Sequence, residues 1–424
     1  MVGKAVRVLV ISTSDTVGGA ARAAYRIHQA VTETGIESRM FVKKKGTNDK
    51  NVVSLDSFVF KNPFYRALTW VLDKLKNKWQ HYVWGKYPAR SRYYMSDLRS
   101  TSMSGALKKM EYDVLHLHWI NQRFLPLGSL PKDKPIVWTL HDSWPFCGIC
   151  HLPFDCKGYE AACGCCPALQ SNSASDLSNR VWRRKKNLYK DLKLHIVAPS
   201  RWLAECARKS SLFKGLDIRV IPNAIDSDLF CPGERASLYA DLGLDSRKHY
   251  LLFGAMNALR DDNKGFRFLV EALERVSGSW NQGVELIVFG TDDSLNNQIA
   301  GMKVINMGVI HDNRKVASLY KAASITVVPS LSENLSCTIM ESLSCGTPVV
   351  AFNIGGNNDL IDHKENGYLA KPKDSESMAQ GILWCLSNNE SGIMSVKARQ
   401  KVLANYTSKK IGEQYAALYR SLIG

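Results

Sequence analysis

The stretch "VRVLVISTSDTVGGAARAAYRIHQAVTETGIESRMFV" (residues 6–42) constrains the fold more than any other. It joins a continuous apolar run, a loop with two glycines, an alanine-rich amphipathic segment, a stop at Gly35 and a second apolar run. An apolar run without alternation suits a strand covered on both faces, and the segment after it has helical spacing. Together they predict a βαβ unit with parallel strands. The pattern continues at "DVLHLHW" (Asp113–Trp119), "PIVWTLHD" (Pro135–Asp142) and "HIVAPS" (His195–Ser200). A second series starts at "YLLFGA" near Tyr250 and runs through "VELIVFG" (Val284–Gly290), "SITVVPS" (Ser324–Ser330) and "TPVVAF" (Thr347–Phe352). Two such series in 424 residues predict an α/β protein of two doubly wound, Rossmann-like domains. The periodicity breaks at "NAIDSDLFCPGE". The expected division is 1–225, 226–405 and a closing amphipathic helix over 406–424, with Ile411, Tyr415, Leu418 and Leu422 on one face.

Ligands of open α/β sheets bind beyond the carboxyl ends of strands. That rule selects Gly18 and Gly19, His118, His141 and Asp142, the segment Arg260 to Lys264, and Glu333. Each alone would pass for a solvated loop residue; as a set they predict two loop clusters, one per domain, facing a common cleft.

The stretch "PSLSENLSCTIMESLSCGTPVV" (Pro329–Val350) places Glu333 in a loop and Glu341 inside the helix that follows. A helix start offers unpaired N–H groups and a positive dipole end, which suits a phosphate. Glu341 falls roughly 7.5 Å into the helix at 1.5 Å per residue. A carboxylate beside a phosphate is electrostatically poor, so neither acid should touch it. Both carboxylates suit hydroxyl donors. A diphosphate with a sugar at each end fits such a site, which points to a nucleotide-sugar.

The spacing E-x7-E followed by "SLSCGTPVV" resembles the donor-binding signature of the GT-B retaining glycosyltransferases of family 4. "VGGAARAAYRIHQAVTETG", "PSRWLAE", "VIPNAIDSDLF", "DDNKG" and "NIGGNNDLIDHKENGYL" resemble further segments of that family in the same order. "WTLHDSWPFCGICHLPFDC" is similar to a bacterial exopolysaccharide subgroup that includes colanic-acid-type enzymes. The resemblance implies a GT-B fold. It also implies a metal-independent, hexosyltransferase-type enzyme, with no catalytic cofactor, that moves a sugar with retention from a UDP- or GDP-sugar. The acceptor implied is polyprenyl-diphosphate-linked or a growing oligosaccharide. Carried over residue by residue, Glu333 meets hydroxyls of the donor sugar and Glu341 those of the ribose. Lys264 neutralises the departing diphosphate, Gly18 and Gly19 allow close approach of the first loop, and His141 lies against the reacting sugar. Asn334, Leu335 and Ser336 complete the donor loop, which reads "ENLS" where the family commonly has "EGFG". The family's "GR" after the first strand of the second domain is also missing, since the chain reads "FGAMNALR" and Arg260 lies further along.

Two features stand outside that signature. "CGICHLPFDCKGYEAACGCC" holds six cysteines, and Cys150, Cys156, Cys163 and Cys166 are spaced C-x5-C-x6-C-x2-C. Four thiolates in a short loop could bind a structural zinc; reduced, buried cysteines are the plain alternative. The segment Lys61–Tyr94 carries eight Lys or Arg, one acid and nine aromatics. The net charge is +17. An anionic membrane surface would suit both, with "RVWRRKKNLYK" (Arg180–Lys190) adding to the patch, and so would stacking on nucleic acid. A core helix is the plain reading of the aromatic segment. No nucleic-acid motif is present, and no run of 18 apolar residues exists, so the expectation is a cytoplasmic protein peripheral to the inner membrane with no nucleic-acid partner. Rival functions are a nucleotide-sugar isomerase of the same architecture, excluded by a product with sugar on an acceptor, and a basic nucleic-acid-binding protein, which has no use for the paired glutamates.

Overall fold

The computed structural model describes residues 5–54, 71, 74–75, 78, 82, 85–88, 107–122, 124–257, 259–280, 283–293, 295–389 and 391–423. Most of Lys61–Tyr94 therefore lies outside the described residues. The chain forms two compact units, 1–222 with 411–424, and 223–410.

In the first unit the order is β1 (Arg7–Ser14), α1 (Gly19–Thr32), β2 (Glu37–Lys44), β3 (Val52–Ser54), β4 (Val114–Leu117), β5 (Pro135–Thr139), α2 (Leu177–Tyr189), β6 (Lys193–Ala198), α3 (Arg201–Lys209) and β7 (Ile218–Val220). The strands make one sheet in the order β3-β2-β1-β4-β5-β6-β7, parallel throughout. Strand β4 is buried at every position, as expected where helices cover both faces. The helices start on local caps: the Asp176 carboxylate accepts from the N–H of Asn179 at 3.2 Å, and the Ser200 hydroxyl from Leu203 at 3.1 Å.

The second unit runs α4 (Arg235–Leu242), β8 (His249–Gly254), α5 (Phe266–Ser277), β9 (Val284–Phe289), β10 (Gln298–Ile299), β11 (Met302–Asn306), α6 (Asn313–Ala322), β12 (Ile325–Val328), α7 (Cys337–Ser344), β13 (Val349–Phe352), α8 (Asn357–Leu360), β14 (Gly367–Ala370), α9 (Ser375–Asn388) and α10 (Ile393–Asn405). Its sheet order is β10-β11-β9-β8-β12-β13-β14, and only the short β10 runs antiparallel to its neighbour. Separate apolar clusters fill the two faces, one around Tyr250, Ile339 and Leu343, the other around Phe253, Leu269 and Ile382.

The final helix, α11 (Ser408–Ile423), gives most of its length to the first unit. Ile411, Tyr415, Leu418 and Tyr419 are buried there, and Leu422 is half-buried. The hydroxyls of Tyr415 and Tyr419 reach Thr139 and His116. The helix thus closes the first sheet and is not a segment apart from both units. In each sheet the strand order reverses once, between β1 and β4 and between β8 and β12. Crevices for ligands open at such reversals.

Candidate functional site

In the second unit the reversal brings the loop after β8 beside the loop after β12. Leu331 N–H donates to the Asn263 carbonyl at 2.8 Å, and the Asn263 amide donates to the Ser332 carbonyl at 3.0 Å. Gly265 sits at φ +67° with its α-carbon pressed on the carbonyl of Pro329, where any side chain would collide with backbone. Gly355, at φ +51°, meets the carbonyl of Glu333 in the same way. These contacts fix the two loops against each other, and with them Lys264 and Glu333. The Lys264 ammonium donates to Oε1 of Glu333 at 2.8 Å. The two side chains keep 26% and 17% of their surface exposed, so the pair can be reached. The Glu333 carboxylate holds the Lys264 amine above its ordinary pKa, against the opposing effect of burial.

Helix α7 follows at once. Ser336 caps it, its hydroxyl accepting from the N–H of Ile339. Leu335 and Ser336 are buried and Asn334 is half-buried. Glu341, the fifth residue of α7, is 1% exposed, and Oε2 accepts from the Tyr320 hydroxyl at 3.2 Å. Arg260 is 76% exposed and forms an ion pair with Asp293, which Thr291 orients. The loop thus brings Lys264, Glu333 and the start of α7 together, and it carries Arg260 onto a separate carboxylate.

In the first unit Gly18 precedes α1 at φ 92° and Gly19 is its first residue. His141 follows β5. Its Nε2 lies 2.8 Å from Nδ1 of His118, which follows β4, and the two rings stack at 5.1 Å. His118 packs at 4.1 Å on His116, whose two nitrogens are held by Thr139 at 2.8 Å and Tyr419 at 2.7 Å. Burial keeps these imidazoles neutral: it lowers His141 to about 4 and His116 to about 3, and it holds His118 well below its ordinary range. Asp142 is engaged beside them, by the His151 ring at 2.5 Å and the Trp119 indole at 2.8 Å. Burial raises its pKa, and the His151 and Trp119 contacts with the Trp144 N–H outweigh that effect.

The cysteine loop departs from expectation. Among the described residues, no group of three or more His, Cys, Asp or Glu is arranged to hold a metal, so Cys150, Cys156, Cys163 and Cys166 do not form the expected zinc set. The hydrogen bond from Cys150 lowers the Cys166 thiol to about 6, while Cys156 accepts from the Gly158 N–H at 3.4 Å. The element that organises this loop is Lys185 on α2; the sequence reading counted it in the basic patch Arg180–Lys190, and the structure buries it at 0% exposure. Its ammonium donates to the carbonyls of Trp144, Cys147 and Gly148 and lies 3.7 Å over the Trp144 ring. A basic residue in an otherwise apolar helical face was the available signal. The Lys264–Glu333 pair was missed, because it joins positions 69 residues apart.

Comparison with known proteins agrees with this geometry. Over 421 residues the chain is 24% identical to a protein of Escherichia coli (strain K12) whose name assigns it to colanic acid biosynthesis as the glycosyl transferase WcaC, covering 96% of this chain and 97% of that one. A UDP-Gal:alpha-D-GlcNAc-diphosphoundecaprenol alpha-1,3-galactosyltransferase of Escherichia coli is 23% identical over 49% of this chain and 55% of its own. Anabaena Alr3699/HepE, solved in complex with UDP and glucose, shares the GT-B fold with a TM-score of 0.64 at 18% identity, over 98% of this chain and 100% of that one. The sequence model of Glycosyl transferases group 1 matches residues 247–388. That of Glycosyltransferase Family 4 matches residues 17–229, half of the chain, and together with the paired loops of the second unit it establishes that the chain belongs to glycosyltransferase family 4.

Proposed function

We propose that the protein is a retaining, metal-independent hexosyltransferase that moves a sugar from a UDP- or GDP-sugar to a polyprenyl-diphosphate-linked or growing oligosaccharide in bacterial surface-polysaccharide synthesis. The observation that carries this reading is the reachable Lys264–Glu333 ion pair at the start of α7. An arriving diphosphate competes for the Lys264 ammonium. Once that cation turns to the phosphates, the Glu333 carboxylate is left with open acceptor positions, which sugar hydroxyls fill. Donor binding thus exchanges one ion pair for another and leaves neither charge bare. As the glycosidic bond breaks, charge develops on the leaving diphosphate, and Lys264 with the α7 N–H groups stabilises it. Glu341 serves the ribose from inside the helix, and His141 meets the transferred sugar.

The names of two relatives support the choice of substrates, one acting in colanic acid biosynthesis and one on a diphosphoundecaprenol-linked sugar. A membrane-bound acceptor fits the exposed basic residues of α2 and its C-terminal end, Arg180, Arg183, Lys186 and Lys190. Exposed Val71, Leu75 and Tyr82 point the same way, to a protein held at the inner face of the membrane. No helix among the described residues is long and apolar enough to cross a membrane. The test is a panel of UDP- and GDP-sugars offered with polyprenyl-diphosphate-linked mono- and disaccharides. Transfer with the anomeric configuration of the donor preserved is expected. Inversion, or turnover of a sugar with no acceptor product, overturns the reading.

A further inference from the structure

The contact between His118 and His141 shares one proton between Nδ1 of the first ring and Nε2 of the second, 2.8 Å apart. Two arrangements are open, and the far side of His118 decides between them. His118 is 2% exposed, and its Nε2 is buried with no hydrogen-bond partner. If His141 donated, the proton of the neutral His118 would sit on Nε2, as a buried N–H with nothing to receive it. If His118 donates, its Nε2 is a bare acceptor. Orphaned buried donors are rarer than under-used acceptors, so the second arrangement is the better satisfied. Burial excludes a doubly protonated His118, whose Nε2–H would have no acceptor.

We propose that His118 is a positioning residue that donates from Nδ1 to Nε2 of His141 and thereby fixes His141 as the tautomer protonated at Nδ1. The inference rests on the reading in which His141 meets the transferred sugar. Among the described residues, Nδ1 of His141 has no hydrogen-bond partner, and the ring is half-buried where His118 is wholly covered. Its Nδ1–H is therefore the group offered to a substrate. His141 then acts as a neutral hydrogen-bond donor to a sugar oxygen, and the general-base role of an unprotonated nitrogen is closed to it. His118 is itself held: it packs tilted against His116, which Thr139 and Tyr419 clamp from both sides, and its carbonyl accepts from the Trp138 indole at 3.2 Å. The substrate class implied is a donor sugar with an acceptor oxygen on the face toward His141.

The experiment uses the full chain labelled with 15N at histidine, with His141→Gln to assign the resonances. At neutral pH His141 is expected to show a pyrrole-type Nδ1 and a pyridine-type Nε2. A protonated Nε2 overturns the proposal, whatever the protein's activity. In kinetics, His118→Phe keeps a ring and removes the donor, while His118→Asn places an amide N–H near the same point. The Phe variant should lose about tenfold in kcat, the rate equivalent of one misplaced hydrogen bond in the transition state, with nucleotide-sugar affinity within about twofold. The Asn variant should recover most of the rate. Equal losses in both folded variants, or a change in affinity alone, would make His118 a packing residue. Should the wild type transfer no sugar to any acceptor, the functional reading fails while the resonance result still decides the tautomer.

Discussion

The ammonium of Lys264 lies 2.8 Å from a carboxylate oxygen of Glu333. On the proposed function, the cation that would meet a diphosphate is held by the group that would meet the sugar. Lys264→Ala should lower turnover by about 10²–10³-fold, the usual effect of removing one charge-stabilising donor. Glu333→Gln should behave differently. It releases Lys264 from its competitor, so free UDP or GDP should bind at least as tightly as to the wild type while nucleotide-sugar turnover falls. Calorimetry and steady-state kinetics on the two variants check this, and weaker binding of the free nucleotide to Glu333→Gln would count against it.

Glu341 is covered and accepts from Tyr320. Glu341→Gln keeps an oxygen for that hydroxyl and removes the charge. Nucleotide affinity should drop by about 1.5–3 kcal/mol, the range of a hydrogen bond to a charged group, with the urea midpoint little changed. Unaltered affinity by calorimetry would take Glu341 out of the donor site.

The buried imidazoles make stability depend on pH. Burial brings His28 and His141 to about 4 and His116 to about 3. Unfolded imidazoles titrate near about 6.5, so the unfolded chain binds these protons more tightly than the folded one. The contribution is fully present above about pH 6.5 and is lost as pH falls toward 4. Each histidine costs roughly 2 kcal/mol on going from pH 6.5 to 5, at about 1.4 kcal/mol per pH unit. Urea unfolding at pH 7 and pH 5 measures the loss. His28→Gln should make the curve shallower, and a flat profile in the wild type would contradict the assignment.

Lys185 satisfies three carbonyls of the cysteine loop from α2. Lys185→Met keeps the volume and strands those oxygens, so at least about 2 kcal/mol of stability should go. The loop carries Asp142 and His151, and their ordering should weaken with it. Denaturant midpoints of the two proteins settle this, and equal midpoints would show that the oxygens find other partners.

Binding to vesicles should require acidic lipid and weaken with salt. Replacing Arg183, Lys186 and Lys190 by Glu should cost about 1 kcal/mol per charge removed at such a surface. Sedimentation with acidic and neutral vesicles reads both effects, and indifference to lipid charge would return α2 to a merely solvated face.

The repeated strands of the fold were legible because a strand covered on both faces must be apolar at every position. "VRVLVIS" is β1 and "PIVWT" is β5 on those grounds. The glutamate spacing also placed Glu341 within α7 correctly. Short elements escaped: β3 and β10, of three and two residues, are too brief to carry a period. The allegiance of α11 escaped as well, since an amphipathic pattern shows which face is buried and says nothing of which sheet receives it. Zinc was expected because cysteines close in sequence were assumed to converge. The irregular backbone instead gives Cys156 the Gly158 N–H and Cys150 the Cys166 sulfur as partners. The histidine seam had a trace in "HLHW", two rings two residues apart on one side of a strand, but its partners lie on β5 and α11.

Because residues 411–424 belong to the first unit, the second is in effect an insertion within it. During synthesis, the strands of the first sheet leave the ribosome well before the residues that complete it. Throughout the translation of residues 223–410, Thr139 and His116 lack the tyrosine hydroxyls that later hold them. The histidine seam beside His141 is therefore completed only after the second unit has emerged. A chain released early would carry the Lys264–Glu333 pair and leave His116 and Thr139 unclamped. On the proposed function, such a fragment should keep the nucleotide site and lose transfer, so the order of translation would itself hold incomplete chains inactive.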